Sequence, residues 1–544
     1  MGTYINKGNI AFQSSRNSEY VDKSALIAVV NQTLFTRQRF SCVSRCRRFG
    51  KSMAAEMLCA YYDKSCQSRQ LFQDLKIVDD PSFEQHLNKY AVVYVDMTSF
   101  ITRYHDDTIV EHINDEVMAD VHKAYPDVPR QDGDDLMALL IRINEATGEQ
   151  FFFIADEWDA ICREFKPGTK AMEDYLNWLR RMFKSNEGLT VFAGAYLTGI
   201  LPIKKCQTQS AMNNFQEYSM IDPMNMAGLF GFTEDEVKTL ADKHGMDYGE
   251  LEKWYDGYQI GDEKHIFNPN SVMTALRSRR CRNYWAKTAA YETVSHYISL
   301  NFEGLKDDIL KLLAGESVRV NTTKFQNDLS IVKSKDDVLT VLIHLGYLAY
   351  DDERKHCYVP NYEVAGELSN AIEDTNWTQV VKSLQQSEEL LQNTLAGNSQ
   401  AVARGIDLAH DENTSILAYN DENSMACVLS IAYYAARDKY IVHREYQSGK
   451  GFADLVMIPR KNVDTPAIIV ELKYDKDADT AISQILRKEY PAKVAEYADR
   501  LLLVGITYDR ETKRHECKII ANGQAYRCGR LSDADSQGGT SEGH

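Results

Sequence analysis

Short apolar runs alternate with amphipathic stretches in the N-terminal part of the chain. The runs at Phe40–Ser44, Tyr90–Asp96, Phe151–Asp156 and Thr190–Gly199 have the length and residue content of strands buried on both faces. The stretches between them repeat apolar residues at helical spacing. Strands that alternate with helices predict a parallel α/β sheet. The predicted helices are Ser24–Leu34, Asp107–Ala124, Leu136–Glu145, Ala171–Lys184 and one that follows Lys51.

The turn after the first strand has the composition of a phosphate-binding loop. Its sequence, Arg45-Cys46-Arg47-Arg48-Phe49-Gly50-Lys51-Ser52, stands between a strand and a helix start. Free backbone N–H groups and the positive end of a helix dipole meet at such a point, so a phosphate can sit there. Gly50 lets the backbone approach the phosphates, Lys51 can reach the β- and γ-phosphates, and the Ser52 hydroxyl can bind Mg²⁺.

This loop departs from the usual pattern at its first position. Arg45 takes the place of the first glycine of G-x-x-x-x-G-K-[ST], so the turn into the loop should differ from the usual one. Arg47 and Arg48 add positive charge and are further candidates for nucleotide binding. A basic turn without a ligand is the alternative.

Clustered carboxylates follow the strand that ends at Asp156. We expect Asp156 to hold Mg²⁺ and Glu157 to polarise the attacking water, whereas Asp159 could share either role or cap the next turn. On the strand that ends at Gly199, Thr198 is a candidate for contacting the γ-phosphate. A strand-end hydroxyl with no catalytic part is the alternative for Thr198.

A second candidate site lies near the C-terminus. Two apolar runs that contain Asp454 and Glu471 are close enough in sequence to form a hairpin. Because side chains alternate along a strand, Glu471 and Lys473 should share one face while Val470 and Leu472 are buried on the other. Asp454 and Glu471 would bind Mg²⁺, with Mn²⁺ as an alternative, and Lys473 would act on the water that attacks a phosphodiester.

Residues around this second site add to the prediction. The helix Asp479–Tyr490 should place Gln484, Arg487 and Lys488 on one face. Glu422, before a predicted helix at Met425–Arg437, is either an accessory metal ligand or a carboxylate favoured by the helix dipole.

Between the two sites, helical patterns dominate from Met226 to Asp337, with a helix start at Thr233–Glu236. We expect Trp254, Tyr255 and Tyr258 to be packing aromatics rather than a base-stacking platform.

Six motifs make the chain resemble the AAA-ATPase-like proteins that carry a PD-(D/E)XK nuclease domain at the C-terminus. The family's motifs Y-V-D-K-[ST], R-P-R-R-F-G-K-S, D-E-Y-D, L-F-G-F-T, W-Y-D-G-Y and N-P-W-S are similar to Tyr20–Ser24, Arg45–Ser52, Asp156–Asp159, Leu229–Thr233, Trp254–Tyr258 and Asn268–Ser271. This chain departs from them at Cys46, Trp158 and Asn270, none of which is an expected phosphate or metal ligand. The resemblance implies a P-loop NTPase core with a helical lid, followed by a restriction-endonuclease-like domain.

The composition of the chain limits which functions and partners this resemblance can imply. The chain has 544 residues, enough for several domains, and a formal net charge of −17. Nucleic acid would therefore have to bind in a local basic cleft. The eleven cysteines show no metal-binding spacing and predict reduced thiols. No run has the length of about 20 apolar residues needed for a membrane span, so we expect a cytoplasmic protein with no membrane partner.

We therefore predict four segments: an AAA-ATPase-like P-loop domain at 1–225, a helical lid and connecting region at 226–395, a nuclease-like domain at 396–531 and a disordered tail at 532–544. The predicted function is an ATPase coupled to a metal-dependent nuclease whose partner is nucleic acid, DNA before RNA. The alternative is a nucleotide-gated nucleic-acid-binding protein, or a toxin-like effector, whose nuclease site is vestigial. Whether the chain forms a homo-oligomer is left open.

Overall fold

The computed structural model describes most of the chain. The described residues are 2–166, 168–203, 212, 214–285, 290–300, 302–323, 325, 332–373, 378–413, 428–430, 432–448, 451–460, 463–474, 476–487, 497, 500–509 and 511–521. They form two compact units, the first made of Met1–Val294 and Val318–Glu367, the second of Ser295–Ser317 and Leu368–His544.

A parallel sheet forms the centre of the first unit. Within the described residues its five strands lie in the order Ala91–Asp96, Phe151–Asp156, Phe192–Gly199, Phe40–Ser44 and Gln216–Tyr218. The predicted parallel α/β sheet is thus confirmed. The fourth predicted strand begins two residues late, because Gly188–Val191 forms a helical turn.

The sheet is buried on both faces. Phe151, Phe153 and Ala155 pack into one apolar cluster, and the alternate residues Phe152 and Ile154 pack into another. This two-residue alternation is that of a strand covered by helices on both sides. The long apolar runs of the sequence therefore reflect this double burial.

Helices surround the sheet and continue beyond it. Those of the first unit are Ile10–Arg16, Ala25–Asn31, Lys51–Tyr62, Arg69–Phe72, Phe83–His86, Met97–Arg103, Ile109–Ala124, Leu136–Thr147, Ala160–Glu164, Lys170–Phe183, Glu234–His244, Tyr248–Tyr255, Pro269–Ser278 and Lys335–Leu345, with 3₁₀ turns at Lys76–Asp79 and Met224–Leu229. The predicted helix start at Thr233 is confirmed, since Thr233 and Glu236 form a reciprocal capping box. Two small antiparallel sheets accompany these helices, one of Phe232–Thr233, Glu263–Phe267 and Tyr258–Ile260, the other of Ala349–Asp351, His356–Tyr358 and Val318–Arg319.

The second unit is built on a mixed sheet. Its strands follow one another in the order Tyr440–Ser448, Gly451–Pro459, Ala467–Tyr474, Leu501–Asp509 and Arg514–Ala521. The middle pair, Ala467–Tyr474 and Leu501–Asp509, is parallel and the other pairs are antiparallel. The predicted hairpin between the strands of Asp454 and Glu471 is confirmed. The helices of this unit are Leu305–Leu313, Thr378–Leu395, Ser399–Asn413 and Ala478–Arg487, with a 3₁₀ turn at Tyr434–Asp438. Two further helices, Ala290–Ser299 and Tyr362–Glu373, have residues in both units.

Some of the predictions concern residues that the structure does not describe. Glu422, Lys488 and the predicted tail at 532–544 lie outside them. Within them, the cysteines are free thiols, and no helix combines the length and apolar character needed to cross a bilayer.

Candidate functional site

The phosphate-binding loop joins the strand Phe40–Ser44 to the helix Lys51–Tyr62. Gly50 immediately precedes this helix with φ 87°, a left-handed conformation that glycine adopts without strain. The Lys51 side chain is buried, donates a hydrogen bond to the Cys46 carbonyl at 3.3 Å and lies 3.5 Å from Glu157 Oε1. An ammonium group held at a helix N-terminus in this way is placed to meet a phosphate.

Arg45, which replaces the usual glycine, points away from the loop and into the protein. Its fully buried guanidinium donates to the carbonyls of Ser44, Tyr218, Ser219 and Met226 at 2.9–3.0 Å. The residue therefore ties the end of one strand to a segment more than 170 positions away. It has a structural task that a glycine could not perform.

Arg47 and Arg48 lie differently, although both line the same cavity. Burial and the neighbouring charge of Arg163 lower the pKa of Arg47. Arg47 therefore places positive charge beside this cavity, which favours an anionic ligand there. Arg48 has φ 67° and donates to the Tyr284 carbonyl. That contact holds the loop, and any phosphate contact of Arg48 remains a prediction.

The acidic group lies at the carboxyl end of the sheet, beside the loop. The Asp156 carboxylate interacts with the Ser52 hydroxyl, accepts a hydrogen bond from Tyr94 at 3.3 Å and pairs in register with Thr198. Burial raises the pKa of Asp156 to about 6. A hydroxyl and a carboxylate that meet in this way offer the hard oxygen ligands that suit Mg²⁺.

Glu157 and Thr198 complete the predicted nucleotide site. Glu157 has φ 50° and lies within ion-pair distance of Lys51. A non-glycine residue in this region costs of order 1 kcal/mol, so the backbone is held there by its surroundings. The Thr198 side chain is buried, and it interacts with the Tyr196 side chain.

Asp159 stabilises the loop that carries Glu157. Its Oδ2 accepts hydrogen bonds from the backbone of Ile200 and Leu201 at 3.1 and 2.9 Å, so it joins this loop to the end of the neighbouring strand. A Cβ atom at Gly199 would lie 2.5 Å from Asp159 Oδ1, and only glycine permits this approach. Of the roles left open for Asp159, a structural one fits these contacts.

The loop residues Arg47–Ser52 and the carboxylate of Glu157 border a cavity of about 710 Å³. The sequence motifs had given no role to several residues that line it. Tyr20, Val21 and Lys23 come from the N-terminal segment, and Arg163 follows the acidic group. Other lining residues come from two of the motifs that carry the family resemblance: Leu229, Phe230, Gly231, Phe232, Pro269 and Asn270. The motifs marked these segments, but nothing in the sequence marked Arg163.

The second site lies at the end of the hairpin in the C-terminal unit. Leu455 pairs with Val470, which places Asp454 and Glu471 next to each other just beyond the last pair. Asp454 Oδ2 accepts a hydrogen bond from the Leu472 backbone at 2.7 Å. Two carboxylates on neighbouring strands, at the point where the pairing of those strands ends and with one of them tied to the other's strand, suit a divalent cation.

Glu471 is more enclosed than the predicted charged strand face implied. It is only 1% exposed, and its Oε1 accepts hydrogen bonds from Lys473 at 3.0 Å and from Gln484 at 2.5 Å. The helix Ala478–Arg487 supplies Gln484, as its predicted face required. A Cβ atom at Gly505 would lie 2.7 Å from the Ala478 carbonyl, so this glycine allows the helix to pack closely on the sheet.

Two family models match segments of the chain that contain these two candidate sites. Residues 10–208 match the family model described as predicted AAA-ATPase, and residues 420–518 match that of the PD-(D/E)XK nuclease superfamily. An uncharacterized protein in the vnfD 5′ region of Azotobacter chroococcum mcd 1 is 23% identical over 256 residues. That alignment covers 45% of this chain and 46% of the relative, so the chain spans about half the length of the curated relative it matches.

Solved structures show more distant likeness. The ORC2 protein of Aeropyrum pernix in its ADPNP–ADP complexes has a TM-score of 0.32 and 13% identity, over 66% of this chain and 98% of that one. The ORC1 protein of Aeropyrum pernix in complex with DNA has a TM-score of 0.24 and 10% identity, over 70% of this chain and all of that one.

Proposed function

Because the chain is an AAA-ATPase-like protein with a C-terminal PD-(D/E)XK nuclease domain, we propose that it binds and hydrolyses ATP in the cavity beside Lys51. The observation that carries this proposal is the meeting of Lys51, Ser52, Asp156 and Glu157 at one end of the parallel sheet.

Each residue has a defined part in the proposed reaction. Lys51 neutralises the β- and γ-phosphates, and the backbone at Gly50 lets them approach. Ser52 and Asp156 would hold Mg²⁺, which would offset the charge of the phosphate oxygens. Glu157 orients a water whose oxygen bonds to the γ-phosphorus while the bond to the bridging oxygen of ADP breaks. The water proton passes to Glu157 and from there to the phosphate. Thr198, the register partner of Asp156 in the sheet, is the proposed contact for the γ-phosphate.

Calorimetry and turnover test the ATP site. Lys51→Ala should lose most of its affinity for Mg²⁺-ATP, and Glu157→Gln should bind ATP normally but hydrolyse it about 10²-fold more slowly, the scale of general-base loss. Lys64→Ala is a matched control, because Lys64 is also paired with a glutamate, Glu149, away from the cavity. Equal affinity of wild type and Lys51→Ala would refute the proposed site.

We propose, as the second activity, metal-dependent cleavage of nucleic acid at Asp454, Glu471 and Lys473. The specific support is that Asp454 and Glu471 lie next to each other where the pairing of the two hairpin strands ends, away from the turn, and that Lys473 contacts Glu471. A pure gripping surface has no use for two adjoining carboxylates, which would repel phosphate without a metal. This favours an enzyme over the nucleic-acid-binding or effector alternatives with a vestigial site.

In the proposed cleavage, Asp454 and Glu471 would hold a divalent cation, which would supply an acidified water for the attack. Lys473 orients that water and offsets charge on the phosphate. The water oxygen bonds to phosphorus, the bond to the leaving nucleotide oxygen breaks, and that oxygen takes a proton from solvent. The Gln484 amide holds Glu471 in position.

Measurements of metal binding and of cleavage rate distinguish the metal ligands Asp454 and Glu471 from Lys473. Asp454→Ala and Glu471→Ala should lose Mn²⁺ binding by calorimetry together with cleavage, whereas Lys473→Ala should keep the metal and lose about 10²-fold in rate. Asp464→Ala is the control, since Asp464 is an exposed carboxylate paired with Arg500. Full cleavage by all three site variants would move the activity elsewhere, and a wild type that never binds metal would favour the gripping alternative.

The nucleic acid, the domain limits and the coupling belong to this proposal as well. We propose DNA as the substrate before RNA, and the four-segment division of the chain stays a prediction. Plasmid, single-stranded DNA and RNA should be compared with and without ATP. Faster cleavage of DNA when ATP is present would support both the substrate and the coupling, and equal rates with and without ATP would contradict the coupling.

A further inference from the structure

Arg163 makes two directed contacts beside the nucleotide cavity. It lies in the short helix Ala160–Glu164, just after the acidic group. Its Nη2 is 2.7 Å from Glu157 Oε2, and its Nε is 3.1 Å from Asp159 Oδ2. Burial alone would lower the pKa of Arg163, but the charges of Asp159 and Glu157 outweigh it and raise that pKa. The side chain is therefore a fixed cation between two carboxylates.

Asp159 holds this arginine in a fixed position. Its side chain is fully buried, and the same Oδ2 atom that faces Arg163 accepts two backbone hydrogen bonds from Ile200 and Leu201. These bonds tie Asp159 to the end of the neighbouring strand. The position of Arg163 is thus set by the sheet.

Glu157 is held from two sides, by Arg163 on one carboxylate oxygen and by Lys51 on the other. The contact with Lys51 is the longer one, at 3.5 Å. If ATP occupies the cavity, the Lys51 ammonium is drawn to the phosphates. Glu157 then keeps only its contact with Arg163.

We propose that Arg163 is a positioning residue for ATP hydrolysis, which holds the Glu157 carboxylate in place for the attacking water once Lys51 has turned to the phosphates. This inference rests on the proposed ATPase function. A general base that is misplaced by about 1 Å can lose about 10²-fold in rate. Arg163 prevents that loss without touching the substrate.

The test compares turnover with nucleotide affinity. Arg163→Met should bind Mg²⁺-ATP within about threefold of wild type but lower kcat by about 10- to 100-fold, and Arg163→Lys should recover part of this loss. Arg181→Met is a matched control, because Arg181 also pairs its Nε with an aspartate, Asp135, and its Nη1 with a glutamate, Glu187, outside the cavity. The control should keep wild-type kcat.

A double variant distinguishes positioning from other roles. If Arg163 acts through Glu157, adding Arg163→Met to Glu157→Gln should slow hydrolysis no further. A further tenfold loss in the double variant would overturn the inference, because Arg163 would then contact the phosphates itself. Unchanged kcat in Arg163→Met would overturn it too.

The same measurements separate this inference from the proposed function. A wild type without ATP hydrolysis, or a Glu157→Gln variant as fast as wild type, would refute the proposed reaction. A slow Glu157→Gln beside a fast Arg163→Met would refute the role of Arg163 alone.

Discussion

Restoring the usual glycine of the phosphate-binding loop should damage this protein. In most loops of this pattern, the position of Arg45 is a glycine. Here the Arg45 guanidinium is fully buried and donates to four carbonyl oxygens, three of them at Tyr218, Ser219 and Met226. Burial lowers the pKa of Arg45 to about 10, so the group is still charged at neutral pH. The guanidinium carbon of Arg45 lies 5.1 Å from the centroid of the Phe230 ring, which adds a cation–π interaction.

The size of the effect follows from these contacts. Arg45→Gly leaves three distant buried carbonyls without their donor, at about 1–3 kcal/mol each. Removal of the buried charge and entry of water offset part of this sum. We expect a net loss of roughly 3–5 kcal/mol, the usual result when a buried charged network is broken. That is a large share of the roughly 5–15 kcal/mol by which a domain is stable.

Urea unfolding followed by circular dichroism measures this loss as a lower midpoint. Arg47→Met serves as the control, because Arg47 lines the cavity: it should weaken ATP binding and change the free energy of unfolding by no more than about 1 kcal/mol. An Arg45→Gly variant with the wild-type midpoint and undiminished ATP affinity would refute the reasoning, since Arg45 would then be a dispensable replacement for glycine.

Three further predictions concern other buried contacts. Burial raises the pKa of Glu363 from 4.5 to about 7, so its contribution to stability is complete below about pH 4.5 and is lost as the pH rises through 7. Between pH 4.5 and 8 the difference in unfolding free energy between wild type and Glu363→Gln should therefore shift by about 3 kcal/mol in favour of the variant. A difference in urea unfolding that does not change with pH would contradict this. Gly199→Ala should destabilise the protein by about 1–3 kcal/mol and lower ATP turnover, because its Cβ would meet Asp159 Oδ1 at 2.5 Å; a thermal midpoint and turnover equal to wild type would count against it. Gly505→Ala should push the helix of Gln484 off the sheet and weaken Mn²⁺ binding, and calorimetry that finds wild-type affinity would exclude that effect.

Several strands and the phosphate-binding loop could be predicted from the sequence, because short stretches of residues determine them. Apolar runs such as Phe151–Asp156 identified four of the five described strands of the parallel sheet, since strands buried on both faces lack polar interruptions. The same holds for the hairpin of Asp454 and Glu471. The three-residue strand Gln216–Tyr218 was not predicted, because it carries no such run. The loop from Gly50 to Ser52 was recognisable because phosphate chemistry fixes its residue types and spacing.

Contacts between distant segments could not be predicted in this way. Arg45 looked like a missing glycine, because its partners lie 173 to 181 positions further along the chain. Arg163 belongs to no motif, and its role depends on the fold around Asp159. Glu471 was expected on a charged strand face, but the helix that carries Gln484 encloses it.

The phosphate-binding loop is held largely by residues that follow it far along the chain. The Phe49 carbonyl accepts a hydrogen bond from Gly231 at 3.3 Å, and the Phe49 ring packs edge-on against Tyr258. Arg48 reaches the carbonyl of Tyr284, and Arg45 reaches that of Met226. A loop without its first glycine cannot rely on its own turn, so these later residues take over its support. Gly231 and Tyr258, from the motifs Leu229–Thr233 and Trp254–Tyr258, therefore contact the phosphate-binding loop directly, although the predicted limit at residue 225 places them in another segment.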